Sequence, residues 1–336
     1  MQNKYLAAGI FVLCGLSAVA NAQAPGEPSA VIKVECDYDC LLGYASNYIE
    51  ALADRDFSRA RLAPDVIFSE NNVVMPVGND GLWGTISGVH EGEMMVADEQ
   101  TGNAAWFGIV EEHGNPAYLA LRIKVEDSLI TEIETVVNRL PDMPKPFGDP
   151  STVTHDPVWS DILPEEQRRS RARLVAVADG YFNTVELNDG DVFTQFDDDC
   201  GRLENGMLTT SGNSGISGGG GNGNAATIAS GCVAQFKLGI YRINKRIRDR
   251  RYPLIDEKRG VVVASGFFDH ANMFDRYTLT DGREMRTVLK WPNSISLLEA
   301  FKIRNGRIWR IEAVFTYVPY FMPSPFAVPN IDFQTR

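Results

Sequence analysis

The residues best equipped for chemistry lie in the second half of the chain. Cys200-Gly201-Arg202-Leu203-Glu204-Asn205-Gly206 places a guanidinium, a carboxylate and an amide close together. About sixty residues on, Phe267-Phe268-Asp269-His270 places a carboxylate and an imidazole behind two aromatic rings. An aspartate held against aromatics has its charged form disfavoured, which moves its pKa up toward general-base range. His270 reaches that range without a shift. Strand alternation sends Asp269 and His270 to opposite faces, so one of them faces a pocket unless a bulge intervenes. The alternative is a strand end and a solvated neighbour. Arg202 could stabilise a developing phenolate or alkoxide. It shares a face with Glu204 by alternation, and the plain alternative for that pair is a salt-bridged turn. Asn205-Gly206 is a hairpin signal, which makes Asn205 structural.

Further candidates surround these. Lys302 and Glu312 belong to the last hairpin. A two-residue Asn305-Gly306 turn would pair Lys302 with Trp309 and put it on the face of Ile311, Phe315 and Tyr317. Glu312 would then face the other way, with Phe301, Ile303 and Ile308. A buried Lys302 would have a lowered pKa and could act as acid or base; an exposed one would be solvated. Lys245, Arg246, Arg248, Arg250 and Arg251 form a basic cluster, read either as a solvated face or as a partner for an anionic group. Arg251 or Arg250, just before Tyr252-Pro253, is the one to enter a pocket. Tyr181 lies on an apolar helix face, as core or as a phenol donor. Phe268, Trp309 and Tyr317 belong to an aromatic-rich end that is either core or the lining for an aromatic ligand. The first half has fewer paired ionisable groups, Glu111-Glu112-His113 being its counterpart to Asp269-His270. The active site is therefore expected in the second half.

The chain has 336 residues, enough for two ordinary domains or one large one, and 44% of them are hydrophobic. A formal charge of −12 argues against nucleic acid, whose phosphates demand a basic surface. Lys4, an apolar stretch over 7–20 and Ala20-Asn21-Ala22 read as a secretory signal peptide over 1–22, with an uncleaved anchor as the alternative. The mature chain is expected to be exported, to the periplasm or beyond, with no membrane association after cleavage. Cys36, Cys40, Cys200 and Cys232 then remain. In an exported chain an even number favours disulfides, and the pairs that stay within one half are Cys36–Cys40 and Cys200–Cys232. The second would close a loop of about thirty residues, worth roughly 3 kcal/mol. Zinc is the rival reading, weakened by the absence of CxxC and by scattered histidines.

These groups need a scaffold to position them. A flexible leader over 23–35 precedes a helix with Leu41, Tyr44, Tyr48 and Ala51 on one face. Strands are expected over 66–68, 73–77, 104–110, 118–125 and 129–137. A proline-bearing linker covers 141–160. Then the pattern restarts: a helix over 173–187 with Leu174, Val177, Tyr181 and Val185 on one face, and later a strand over 261–268. Tyr181 corresponds to Tyr48. Arg202-Leu203-Glu204-Asn205-Gly206 corresponds to Phe68-Ser69-Glu70-Asn71-Asn72, and Asp256-Glu257 to Asp98-Glu99. Phe301-Lys302-Ile303 through Ile311-Glu312 echoes Leu121-Arg122-Ile123 through Ile133-Glu134. Two copies of one α+β unit follow, over 36–140 and 161–326. The run Ser217-Gly218-Gly219-Gly220-Gly221 lacks a GK[ST] ending and reads as a surface loop rather than a phosphate cradle.

A leading helix, an acidic turn early in the sheet and a closing hairpin of this form resemble the NTF2-like superfamily, in its SnoaL-like branch. The resemblance spans most of the mature chain as a tandem pair, most specifically in each closing hairpin. It implies a curved, mainly antiparallel sheet around a helix, a conical pocket, and general acid/base chemistry with no cofactor. The chain is also similar overall to the NTF2-like γ-formaldehyde lyases of lignin-dimer catabolism, which release formaldehyde from diaryl compounds and leave a stilbene. The expectation is a cofactor-independent lyase or isomerase acting on a small aromatic molecule. Asp269 or His270 would serve as base, with Arg202, Arg251 or Lys302 stabilising the oxyanion. Tyr181, Glu204, Arg251, Phe268, Trp309 and Tyr317 would line the pocket. A different class stays open, an envelope module that binds a small ligand without turnover. Self-association into a homo-oligomer also stays open.

Overall fold

The computed structural model describes residues 36–139, 153–210, 231–287 and 289–327. The expected signal peptide, the leader, most of the linker and the glycine run lie outside these residues. In chain order the first elements are helix α1 (Tyr38–Ala53), strands β1 (Leu62–Glu70) and β2 (Val73–Val74), a short helix α2 (Leu82–Thr85), and strands β3 (Ile86–Val89), β4 (Met94–Asp98), β5 (Asn103–Glu112), β6 (Asn115–Glu126) and β7 (Leu129–Arg139). Helix α3 (Arg171–Leu187), strands β8 (Phe196–Glu204) and β9 (Met207–Leu208), and helix α4 (Cys232–Leu238) follow. The last elements are β10 (Arg246–Asp256), β11 (Val261–His270), β12 (Arg276–Thr278), β13 (Glu284–Arg286), β14 (Asn293–Arg304) and β15 (Arg307–Val318). The protein is thus α+β, with large mixed sheets and few helices.

A seven-stranded sheet runs β2-β1-β7-β6-β5-β3, with β4 also on β5, and a six-stranded sheet runs β10-β11-β14-β15-β8-β9. In each, the first long strand lies parallel to the last, and the remaining long pairs are antiparallel. The register aligns them residue by residue. Phe68 faces Ile133 as Arg202 faces Ile311, and Ile133 faces Ile123 as Ile311 faces Phe301. Ile123 therefore matches Phe301, and Leu121 matches Glu299. The sequence echo that set Leu121 against Phe301 is two residues out of step, because a pattern of an apolar residue, a cation and a β-branched apolar residue occurs at both Leu121-Arg122-Ile123 and Ile123-Lys124-Val125.

Helix α1 buries Leu41, Tyr44, Ala45, Tyr48 and Leu52 on the first sheet, and its N-cap Asp37 accepts a hydrogen bond from Cys40 N at 2.9 Å. Helix α3 buries Leu174, Val177, Ala178, Tyr181, Phe182 and Val185 on the second. A third apolar cluster joins the sheets: Phe107, Ile109, Ala120 and Val136 from the first, Leu254, Val263, Leu298 and Val314 from the second. Each central strand is covered on both faces. On β14, Leu297, Phe301 and Ile303 belong to the α3 cluster, whereas Leu298 and Ala300 belong to the inter-sheet cluster.

The closing hairpin corrects one expectation. Ile303 pairs with Ile308, but Lys302 pairs with Arg310, so Trp309 is bulged out of register. Lys302 therefore lies on the inter-sheet side, and Phe301 shares the α3 side with Ile311. The first sheet has the same shift beside Lys124, around Thr131. A turn residue pair cannot announce a bulge two residues beyond it.

The Asn205-Gly206 turn ends β8. Asn205 clamps β15: its Nδ2 donates to Phe315 O at 3.0 Å, and its Oδ1 accepts from Phe315 N at 2.9 Å. Asn71 makes the same pair of bonds to Val137 in the first sheet. Gly206 has φ +71°, and a Cβ there would overlap the Tyr118 hydroxyl from β6. Gly206→Ala should therefore cost more than the ~1 kcal/mol of αL strain alone. A Tyr118→Leu background should remove part of that cost, read as the coupling in a urea-denaturation double-mutant cycle. Strict additivity would show that Tyr118 does not press on the turn.

Candidate active site

A cluster of buried ionisable groups sits between α3 and the second sheet. Arg202 and Glu204 point to the same side of β8, where the Arg202 Nη2 donates to Glu204 Oε1 at 2.6 Å. The other terminal nitrogen donates to Gln235 Oε1 and the Tyr241 hydroxyl, both at 2.8 Å. The guanidinium also lies over the rings of Phe236 and Tyr241, at 5.1 and 5.2 Å. Gln235 and Phe236 come from α4, which the Cys200–Cys232 disulfide ties to β8 two residues before Arg202. Cys36–Cys40 also forms.

Across the sheet, Glu299 pairs with Ala313, and Ala313 pairs with Glu204. The two carboxylates thus flank one alanine in a row, about 9.5 Å apart at their Cα atoms by two strand spacings. Ala264 lies on the far side of Glu299, so the floor around it is made of small side chains. Glu299 is 2% exposed, and its Oε2 has no hydrogen-bond partner among the described residues. Burial, then repulsion from Glu204, push its pKa up from 4.5 to about 8, against the attraction of Arg202 and a hydrogen bond from Tyr181. Tyr181 sits over this row, edge-on to Phe301 at 5.0 Å and to Phe236 at 5.5 Å. Burial raises its pKa well above 10 and keeps it a donor. The cluster therefore holds a neutral carboxylic acid and a phenol facing a carboxylate that carries its own guanidinium. Environments that set two carboxyl groups apart are how one site holds an acid and a base together.

The same positions in the first sheet are apolar. Phe68 stands for Arg202, Leu121 for Glu299, and Trp106 for Ala264, all of them in the α1 core. The Trp106 ring fills the space over Gly108, where any side chain would collide with it. Glu70, matching Glu204, is buried and accepts from Leu82 N at 2.7 Å and Arg139 Nη2 at 2.9 Å.

The structure brings together Arg202, Glu204 and Tyr181, and separates them from the other sequence candidates. Asp269 faces the opposite side of the sheet, fully buried, accepting from Arg248 Nε at 3.0 Å and Ser294 Oγ at 2.6 Å. His270 is on the α3 side but at the far end of β11. It bonds Asn293 at 3.0 Å, and burial lowers its pKa. Asn293 lies six residues from Glu299 along β14, about 20 Å away. Lys302 is fully buried between the sheet and residues 153–163, its Nζ donating to Asp161 O at 2.8 Å. Arg251 reaches across to Glu134 of the first sheet and donates to Ser265 Oγ at 2.9 Å. Trp309, on its bulge, donates to Asp199 at 3.1 Å and lies under the Arg304 guanidinium at 3.7 Å. Phe268 packs edge-on to Phe182, and Tyr317 lines the α3 side opposite Ile295. Elsewhere in the basic cluster, Arg250 contacts Asp179 at 3.0 Å and Glu186 at 2.5 Å, and Arg246 approaches Asp269 at 3.7 Å. Asp269, His270, Lys302, Arg251 and Trp309 are therefore removed from the carboxylate row.

Sequence reasoning missed Glu299. The available signal was a single carboxylate in the apolar run Ile295-Ser296-Leu297-Leu298-Glu299-Ala300-Phe301, at an alternation shared with Leu297 and Phe301. Among the described residues no group of three or more His, Cys, Asp or Glu could hold a metal ion.

Burial, outweighing the opposing attraction of Asp161 and Asp256, lowers the Lys302 pKa from 10.5 to about 8. The folded protein then binds fewer protons than the unfolded chain between pH 8 and 10.5, so stability should rise with pH across that window. Lys302→Met should abolish the rise and stabilise the protein at pH 7 by roughly 1–3 kcal/mol, less the lost bond to Asp161. Denaturation midpoints at pH 7 and 10 test this; an unchanged rise in the variant would refute it.

A family described as a domain of unknown function, DUF8021, matches residues 167–315. No curated protein matches the chain. An NTF2-like protein of unknown function from Cytophaga hutchinsonii is 16% identical, covering 33% of this chain and 97% of its own, with a TM-score of 0.26. A steroid delta-isomerase from Pseudomonas aeruginosa is 14% identical, covering 32% of this chain and 85% of its own, with a TM-score of 0.24. These likenesses are partial, and they carry no activity over to this chain.

Proposed function

We propose that the chain is an exported, cofactor-independent acid/base catalyst built from two NTF2-like units in tandem. Residues 36–140 form a scaffold whose cup is filled, and residues 161–326 carry the site. The observation that carries this reading is Glu299: buried, without an ion pair among the described residues, and set opposite the Glu204–Arg202 pair. Two disulfides fit an oxidising compartment, and among the described residues no helix is long and apolar enough to cross a membrane.

Glu204 takes a proton and Glu299 gives one. Tyr181 donates to the oxygen that gains charge, and Arg202 holds Glu204 in place. The first substrate to test is a lignin-type diaryl diol bearing a hydroxymethyl group. Glu204 removes the hydroxymethyl O–H proton, and the C–C bond breaks to release formaldehyde. Its electrons form the alkene, and hydroxide leaves as water with the proton from Glu299, giving a stilbene. A dehydratase or isomerase of the SnoaL-like type would use the same acid and base.

The test is formaldehyde and stilbene formation without added metal or nucleotide, and its loss in Glu299→Gln. Turnover unaffected by that substitution would remove Glu299 from the mechanism. The near-complete burial of Arg202, Tyr181 and Glu299 favours a second reading, a module that binds a small ligand without turnover. Saturable ligand binding with no product from any such diol or ketone would establish it.

A further inference from the structure

Both halves leave a cleft at the same place, beside the leading helix where the chain enters its first long strand. In the first half a cleft of about 200 Å³ is lined by Tyr44, Ala60, Arg61 and Ile130, among others. In the second a cleft of about 250 Å³ is lined by Arg173, Val177, Phe193, Thr194 and Gln195, among others. The clefts correspond residue by residue. Ile130 N donates to Arg61 O at 2.7 Å, as Ile308 N donates to Gln195 O at 2.8 Å. Arg61 thus matches Gln195, and Tyr44 matches Val177.

Their contents differ in a way that concerns charge. In the first cleft the Arg61 guanidinium lies over the Tyr44 ring at 5.4 Å, and Tyr44 donates onward to Ser128 O at 2.7 Å. That cation is already engaged. In the second cleft valine replaces the tyrosine, and Arg173 has no ring, hydrogen-bond or ion-pair partner among the described residues. Arg169 converges on the same spot. The Nε atoms of Arg169 and Arg173 lie 3.6 and 3.8 Å from one point, the Cβ position of Gly306. Among the described residues Arg169 donates to the backbone carbonyls of Glu166 and Arg168. Arg173 thus lines the cleft with Arg169 next to it at the Gly306 turn, and among the described residues neither is paired with a carboxylate, in a chain whose net charge is −12. Most other arginines of this half are ion-paired, including Arg248, Arg250, Arg304 and Arg310.

We propose that the second cleft is a binding site for a small tetrahedral oxyanion of the phosphate type, held by Arg173 and Arg169 with Gln195 as a neutral donor. Guanidinium forks bind such groups through paired charge-assisted bonds, and three donors arriving from two separate chain segments, the start of α3 and the approach to β8, suit a tetrahedral acceptor better than a planar one. The site is separate from the carboxylate row: Val177 and Phe196 stand between the cleft and Tyr181.

The experiment is titration of the full chain with inorganic phosphate at low ionic strength, followed by the arginine Nε–Hε NMR signals and by calorimetry. Saturable binding below about 1 mM is expected, weakened at least ~10-fold in Arg173→Gln and ~5-fold in Arg169→Gln. Arg276→Gln, which removes an exposed arginine paired with Glu284 at 3.4 Å, should bind like the native chain. So should Glu299→Gln, which keeps this site distinguishable from the proposed active site. Acetate, being planar, should bind several-fold more weakly. Absence of saturation by about 10 mM, equal losses in Arg276→Gln, or acetate binding as tightly as phosphate would each overturn the assignment.

Discussion

Replacing Glu299 with glutamine should lower turnover by about 10²–10⁴-fold and flatten the dependence of stability on pH. The two effects share one cause. The folded protein holds the Glu299 proton up to about pH 8, whereas the unfolded chain releases it near 4.5. Between those values the native state binds more protons than the unfolded state, so stability falls as pH rises and levels off above 8. For a fully buried group the span is on the order of 3–5 kcal/mol. Glutamine has no proton to lose, so the variant should be more stable than the native chain at pH 9 and similar at pH 4.5. Activity resting on Glu299 as acid should decline through pH 8 in the native protein. Urea midpoints at pH 5, 7 and 9 test the stability arm, and parallel curves for native and variant would refute the buried-acid assignment.

Removing Asp269 should have a large structural effect and little chemical effect. Asp269→Ala should cost about 3 kcal/mol or more, because it leaves Arg248 mostly buried without its inner partner. The loss is softened because Arg248 keeps Asp249 at 2.7 Å and the carbonyl of Met322 at 2.6 Å. Its guanidinium also sits between the Phe267 and Phe321 rings, so the loosened region should include the segment after β15. Turnover per folded molecule, and its decline through pH 8, should be unchanged. A stable variant with turnover lowered a hundredfold would instead restore Asp269 as the base.

What the sequence determined by itself was local or periodic. Leu174, Val177, Tyr181 and Val185 specify the face of α3 because a helix repeats every 3.6 residues. Alternation specifies that Arg202 and Glu204 share a side. The even number of cysteines beyond residue 22 favoured two disulfides within the halves, and both form. Only the tertiary structure decided which side faces the helix. Asp269 and Lys302 are as ionisable as Glu299, yet their parity sends them toward the other sheet. There one is neutralised by Arg248, and the other is pinned to Asp161. The bulge at Trp309 set that parity for the hairpin, and no residue type announces it. Glu299 was in view throughout as one acid in an apolar strand. Its meaning came from register across three strands, which puts Ala313 between it and Glu204 and Ala264 beside it. A carboxyl group becomes an acid at neutral pH through what surrounds it, and those surroundings are assembled from residues 181, 202, 204, 264 and 313, brought together only by folding.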